Sequence, residues 1–223
     1  MEYDILYRPS YSLAVVSLRR SEEIVVEAGA MVSMSPGIQI ETKARGGILG
    51  GLARSFLGGE SFFLNTFKAE EPGEVTLAPS LPGDVVHLEL KDETLLVQSG
   101  SYMACSSDIS VDTTWGGAKT FFSKEGFFLL KLEGRGDLFL SSYGAIHEKE
   151  LKNGERYIVD TGHMVAFDQG VGYQVTRVGG LKSTLFSGEG LVVELTGPGR
   201  IYIQSRSTDA FLSWLIPLLP SRR

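Results

Sequence analysis

One cysteine, Cys105, stands among 223 residues. No internal disulfide can staple such a chain, and no multi-cysteine metal site can form. No stretch reaches the roughly 18 to 20 apolar residues that span a bilayer as a helix. Runs of Lys and Arg stop at the pairs Arg19-Arg20 and Arg222-Arg223, and the formal net charge is −6. That balance repels a phosphate backbone, so nucleic acid is not an expected partner. Only three histidines occur, His87, His147 and His163, without the H-x-H or HExxH pairing of zinc sites. A G-x-S-x-G elbow and the Gly-Lys-Ser/Thr ending of a phosphate loop are missing as well. No metal, cofactor or catalytic residue is therefore assigned. The acidic start Met1-Glu2-Tyr3-Asp4 lacks the apolar run of a secretory signal. Together with the lone cysteine it points to a reducing, cytoplasmic compartment.

What the chain has is glycine, with 27 Gly against 8 Pro, and an ordinary globular balance of 43% hydrophobic and 22% charged residues. It also has internal repetition. A first marker reads Val25-Val26-Glu27-Ala28-Gly29-Ala30-Met31-Val32, then Leu96-Val97-Gln98-Ser99-Gly100-Ser101-Tyr102-Met103, then Ile158-Val159-Asp160-Thr161-Gly162-His163-Met164-Val165. A second marker is a Gly-Gly pair, an aromatic residue or leucine, a glutamate and an apolar strand. It runs from Gly50-Gly51 to Glu60, from Gly116-Gly117 to Glu125 and from Gly179-Gly180 to Glu189. After each copy a glycine turn, at Gly73, Gly136 or Gly199, feeds another short strand.

Runs of four to seven Val, Ile, Phe, Tyr and Thr predict strands, for example Ser12 to Leu18, Val85 to Leu90, Phe127 to Leu132 and Leu191 to Leu195. Pro36-Gly37, Pro82-Gly83, Asn153-Gly154 and Pro198-Gly199 read as turns. In Leu88-Glu89-Leu90 and Ile201-Tyr202-Ile203-Gln204 the alternation predicts one core face and one wetter face. The fold class is all-β, an antiparallel β-sandwich of three diverged repeats at about 10–79, 80–143 and 144–206. About 65 residues of short strands bury little apolar surface alone, so the three should pack into one compact body over 1–206. Residues 207–223 form a separate tail. There Ser207-Thr208-Asp209 caps a helix whose Phe211, Trp214, Leu215 and Leu218 share one face, with Pro217 and Pro220 ending it. This helix can pack on its own β body, meet another subunit, or touch a membrane surface. The last is disfavoured, because Arg222 and Arg223 are its only nearby cations.

The segment Gly46-Gly47-Ile48-Leu49-Gly50-Gly51-Leu52-Ala53-Arg54-Ser55-Phe56-Leu57-Gly58-Gly59-Glu60, with Val26 to Val32 before it and Pro79-Ser80-Leu81-Pro82-Gly83-Asp84 after it, resembles a known family. These are the conserved bacterial and archaeal proteins grouped with the mitochondrial biogenesis protein "altered inheritance of mitochondria 24". The resemblance runs from about Tyr11 to Gln204. It implies a fold like that of the trp RNA-binding attenuation protein, with β-sandwich units side by side. It implies no catalytic or cofactor residues. The likeness to an RNA-binding protein is one of fold only.

Gly46 to Gly59 reads as an apolar loop or short helix that must be covered, within the chain, by another subunit or by an apolar ligand. Cys105 reads as a buried structural thiol. Glu60, Glu125 and Glu189, at one step of each repeat, read as framework groups accepting backbone N–H bonds. The leading functional expectation is a structural or interaction protein that forms a homo-oligomer through β edges, the Gly-rich segment or the C-terminal helix. Its candidate contact residues are Gly50, Gly51, Phe56, Leu57, Phe211, Trp214 and Leu215. The alternative is a small-molecule binding module with an apolar cleft between repeats. An enzyme ranks third, and a pocket holding His163, Asp160 or Asp168 would favour it.

Overall fold

A computed structural model of the chain describes residues 1–42, 62–112, 128–177 and 191–220. Gly50, Gly51, Phe56, Leu57, Glu60, Glu125 and Glu189 lie outside these residues, as do all three Gly-Gly pairs of the second marker. The described residues hold strands that fall into three sets in chain order. The first set is β1 (Glu2–Leu6), β2 (Leu13–Leu18), β3 (Glu23–Glu27), β4 (Met31–Met34), β5 (Ile38–Thr42), β6 (Leu64–Ala69) and β7 (Gly73–Leu77). The second is β8 (Val85–Gln98), β9 (Tyr102–Ser106), β10 (Ile109–Asp112) and β11 (Leu129–Ser141). The third is β12 (Ile146–Leu151), β13 (Arg156–Asp160), β14 (Met164–Asp168), β15 (Gly172–Arg177), β16 (Leu191–Thr196) and β17 (Gly199–Gln204). Helix α1 (Thr208–Leu215) follows.

One antiparallel pairing scheme serves all three sets. In the first, β2 and β4 flank β7, while β3 and β5 flank β6. In the third, β12 and β14 flank β17, while β13 and β15 flank β16. In the second, β8 and β11 are long enough to belong to both layers and pair along their whole length. There β9 joins the carboxyl half of β11 and β10 its amino half. The sequence predicted Val85 to Leu90 as a strand by itself. The structure runs it on to Gln98, because the corner is made by one residue rather than by a loop.

That corner recurs at one position. Ser21, Asp92 and Gly154 take left-handed φ values of 71°, 62° and 74°, each four residues before the aliphatic pair of the first marker. A second recurrence explains Gly73, Gly136 and Gly199. A Cβ on Gly73 would come 2.7 Å from the Cβ of Ser35, and one on Gly136 2.8 Å from that of Ser106. One on Gly199 would come 2.6 Å from Cγ2 of Val171 and 3.3 Å from the Cβ of Asp168. The next backbone N–H then donates to the same crowding residue. Glu74 donates to Ser35 Oγ at 3.0 Å, Asp137 to Ser106 Oγ at 2.9 Å and Arg200 to Asp168 Oδ2 at 2.8 Å. Glycine admits the close approach, and the side chain at the end of β4, β9 or β14 locks it.

The sets are joined by strand pairing. In one joint β3 pairs β9; in the other the carboxyl half of β8 pairs β14. Their cores interleave accordingly. Val85, Met103, Ala104 and Phe139 of the second set lie in the core of the first. Val25 of the first and Val165, Ala166 and Tyr202 of the third lie in the core of the second. Leu96 and Leu129 of the second lie in the core of the third. Each large aliphatic side chain so buried contributes about 1.5–3 kcal/mol. The wet face predicted for Tyr202 and Gln204 is corrected here, since both are buried. Tyr202 faces the neighbouring set, and its hydroxyl has no hydrogen-bond partner among the described residues. Gln204 is satisfied by Tyr143 N–H and Gly162 C=O.

Gly136→Ala, with a φ of +139° and the Ser106 clash, should lower the unfolding free energy by about 3 kcal/mol in urea titration. Gly154→Ala, where nothing lies within 4 Å of the added Cβ, should cost only the left-handed penalty of about 1 kcal/mol.

Candidate functional site

The C-terminal helix forms as its sequence predicts. Ser207 caps it, its Oγ accepting the Ala210 N–H at 3.4 Å, and a 3-10 turn over Ile216–Leu218 continues past Pro217. Its seating is shallow. Phe211 and Leu215 are half-buried, and Phe211 meets Tyr143 edge-on at 5.9 Å. Trp214 is 64% exposed, and Leu212, Ile216, Leu218 and Leu219 are exposed with it. No residue of α1 is buried. Of the candidate contact residues, the described three thus divide: Phe211 and Leu215 are half-buried, and Trp214 is mostly in solvent. Among the described residues no helix is long and apolar enough to cross a membrane.

The residues that would have favoured catalysis are occupied by the framework. Asp160 Oδ1 accepts the Gly162 N–H at 2.8 Å, and His163 Nδ1 lies 2.7 Å from the Gln204 carbonyl. Asp168 accepts both the backbone N–H and the guanidinium of Arg200, whose other contact is Glu93 Oε2 at 2.9 Å. The hydrogen bond to Asp168, foremost, raises the Arg200 pKa. Cys105 is a fully buried thiol on β9, its sulfur 3.3 Å from the Tyr102 hydroxyl.

Two polar clusters escaped the sequence reading. In the first, Asp84 is buried between β8 and the Arg8 segment. Its carboxylate accepts Arg8 in a fork at 2.8 and 2.9 Å, Ser12 Oγ at 3.0 Å and its neighbour Val85 N–H at 2.8 Å. Burial alone would raise its pKa, but the bonds from Arg8, Ser12 and Val85 outweigh that and hold it below the ordinary value. In the second, Tyr3 Oη and His87 Nδ1 share a hydrogen bond of 2.8 Å, and His87 Nε2 and Asp137 Oδ1 one of 2.7 Å. The Met1 amino group donates to Asp137 Oδ2 at 3.0 Å, and the Tyr3 ring stacks on His87 at 4.1 Å. Burial raises the Asp137 pKa, and His87 and the amino group more than reverse it. This hydroxyl–imidazole–carboxylate chain pins β1 across β8 and β11. No spacing rule could reveal it, because its members lie 84 and 50 residues apart.

Two open clefts of about 590 and 700 Å³ lie on the first set. Glu2, Arg19, Glu22 and Glu74 line one, and Arg20, Lys68, Glu70 and Glu71 the other. Both are charged, and neither includes Tyr3 or His87.

The sequence profile of the family described as mitochondrial biogenesis AIM24 matches residues 3–206. An uncharacterised protein of Streptococcus pyogenes serotype M6 is 28% identical, the match covering 99% of this chain and 92% of that protein. A Streptococcus pyogenes protein solved by X-ray crystallography superposes with a TM-score of 0.81 at 26% identity, over 98% of this chain and 99% of its own.

Asp84→Asn tests the buried cluster. A carboxylate whose folded pKa is lowered stabilises fully above its ordinary value of 3.8 and loses that contribution as pH falls towards the folded value. The variant should be about 2–3 kcal/mol less stable at neutral pH. Urea titrations from neutral pH down through that window should show it losing less on acidification than the wild type.

Proposed function

The chain belongs to the mitochondrial biogenesis AIM24 family, and on that premise we propose that it is a structural or interaction protein that self-associates. On this reading the three strand sets are diverged copies of one unit, packed as a single compact body over 1–206, with 207–223 as an interaction tail. The observation that carries it is apolar side chains left in solvent in groups. Trp214, Ile216, Leu218 and Leu219 on and after α1 are each more than half exposed, a density that marks contact surfaces rather than scattered surface hydrophobics. The net charge of −6 turns the reading away from nucleic acid and towards protein partners, a second copy first. A buried thiol as the sole cysteine suits a cytoplasmic setting. The alternative, a ligand module with an apolar cleft between the repeats, has less behind it, because the two described clefts are charged and sit on the first set.

Sedimentation velocity of the wild type should show species heavier than the 24.3 kDa chain. Trp214→Glu with Leu218→Glu should shift the distribution towards the single chain, leaving the urea midpoint unchanged. A wild type that sediments only as a single chain at every soluble concentration overturns the reading.

A further inference from the structure

The two internal joints share one register. Val25 lies opposite Cys105 and Val26 opposite Ala104; Leu96 lies opposite Phe167 and Val97 opposite Ala166. Pairing inside the sets fixes which positions correspond. Val25, Leu96 and Ile158 face Thr66, Lys131 and Glu194. Met34, Cys105 and Phe167 face Val75, Leu138 and Ile201. On this correspondence β9 and β14 are the same strand as β4, and β3 and the carboxyl half of β8 are the same strand as β13.

Their surroundings differ sharply. Val25 and Leu96 are each 1% exposed, whereas Ile158 is 63% exposed. Met103 and Val165 are fully buried, each in the core of the preceding set, whereas Val32 is 57% exposed. Met31 and Met34 are exposed beside it. Among the described residues β4 pairs only β7, and β13 pairs only β16, so each keeps one backbone edge unpaired. Edge strands are normally guarded by charge or proline. The outer strand β12 follows that rule with His147-Glu148-Lys149-Glu150, but Met31-Val32-Ser33-Met34 carries neither. The two ends of the molecule are the two halves of its own internal joint.

We propose that a second copy of this chain supplies the missing half: β4 of one protomer pairs antiparallel with β13 of the next, with Met34 opposite Ile158 and Ser33 opposite Val159. Val32 then enters the third core of the neighbour, as Met103 enters the first core and Val165 the second. This rests on the self-association proposed above and adds the two strand edges to the exposed side chains of α1 as the contacts it needs. The contact is head to tail, so it propagates until a ring closes or a filament grows.

Val32→Lys and Ile158→Lys, both at exposed positions, each spoil one edge, and circular dichroism and urea midpoints check that they fold. By native mass spectrometry the wild type should assemble, each variant alone should be a single chain, and an equimolar mixture should give a one-to-one dimer that grows no further. The milder Val32→Thr and Ile158→Thr should weaken assembly in the same way. Variants that assemble like the wild type, or that each dimerise alone, overturn the joint while leaving self-association through another surface standing. A wild type that is only a single chain overturns both.

Discussion

Every other feature of the structure depends on the strand-to-strand joint between successive sets. Six short strands in two layers leave one strand edge and part of one core uncovered, and the next set closes both at once. Backbone groups on β3 and on the end of β8 that would otherwise meet solvent are paired, and apolar side chains on both sides of the joint lose nearly all exposure. An unpaired buried backbone group costs about as much as a lost hydrogen bond, so pairing and core closure have to occur together. This is why Val25 belongs to the core of the second set and Met103 to that of the first.

Around that joint, chemistry varies while geometry persists. The corner needs a left-handed residue and is met by Ser21, Asp92 and Gly154, of which only the glycine adopts it without strain. The lock beside Gly73, Gly136 and Gly199 needs an oxygen acceptor, and two serine hydroxyls and the Asp168 carboxylate supply it. In the third set the carboxylate does a second task, holding Arg200, which reaches Glu93 in the preceding set. One ion pair thereby reinforces the joint between β8 and β14.

The polar clusters tie the seams between strands. Asp84 draws Arg8 and Ser12 of the first set onto the start of β8, and Asp137 with His87 holds β1 through Tyr3 and the Met1 amino group. A buried carboxylate ringed by donors stays ionised at modest cost, because its hydrogen bonds replace those of water. These contacts tie residues far apart in the chain, and they place carboxylates where acid weakens the body.

The sequence alone determined the all-β class, the positions of the turns and the ordered markers, because strand propensity, glycine punctuation and apolar runs are local properties. It also identified the helix at Ser207, since a cap and a four-residue periodicity are local too. Tertiary structure decided which apolar runs are covered. Tyr102-Met103, Met164-Val165 and Met31-Val32 read alike along the chain, yet the first two are buried and the last is not. An apolar run states that a face needs covering, but what covers it depends on which strand edge lies alongside. The same holds for Tyr3, His87 and Asp137, whose meeting follows from the register of β1, β8 and β11 and from nothing in their spacing.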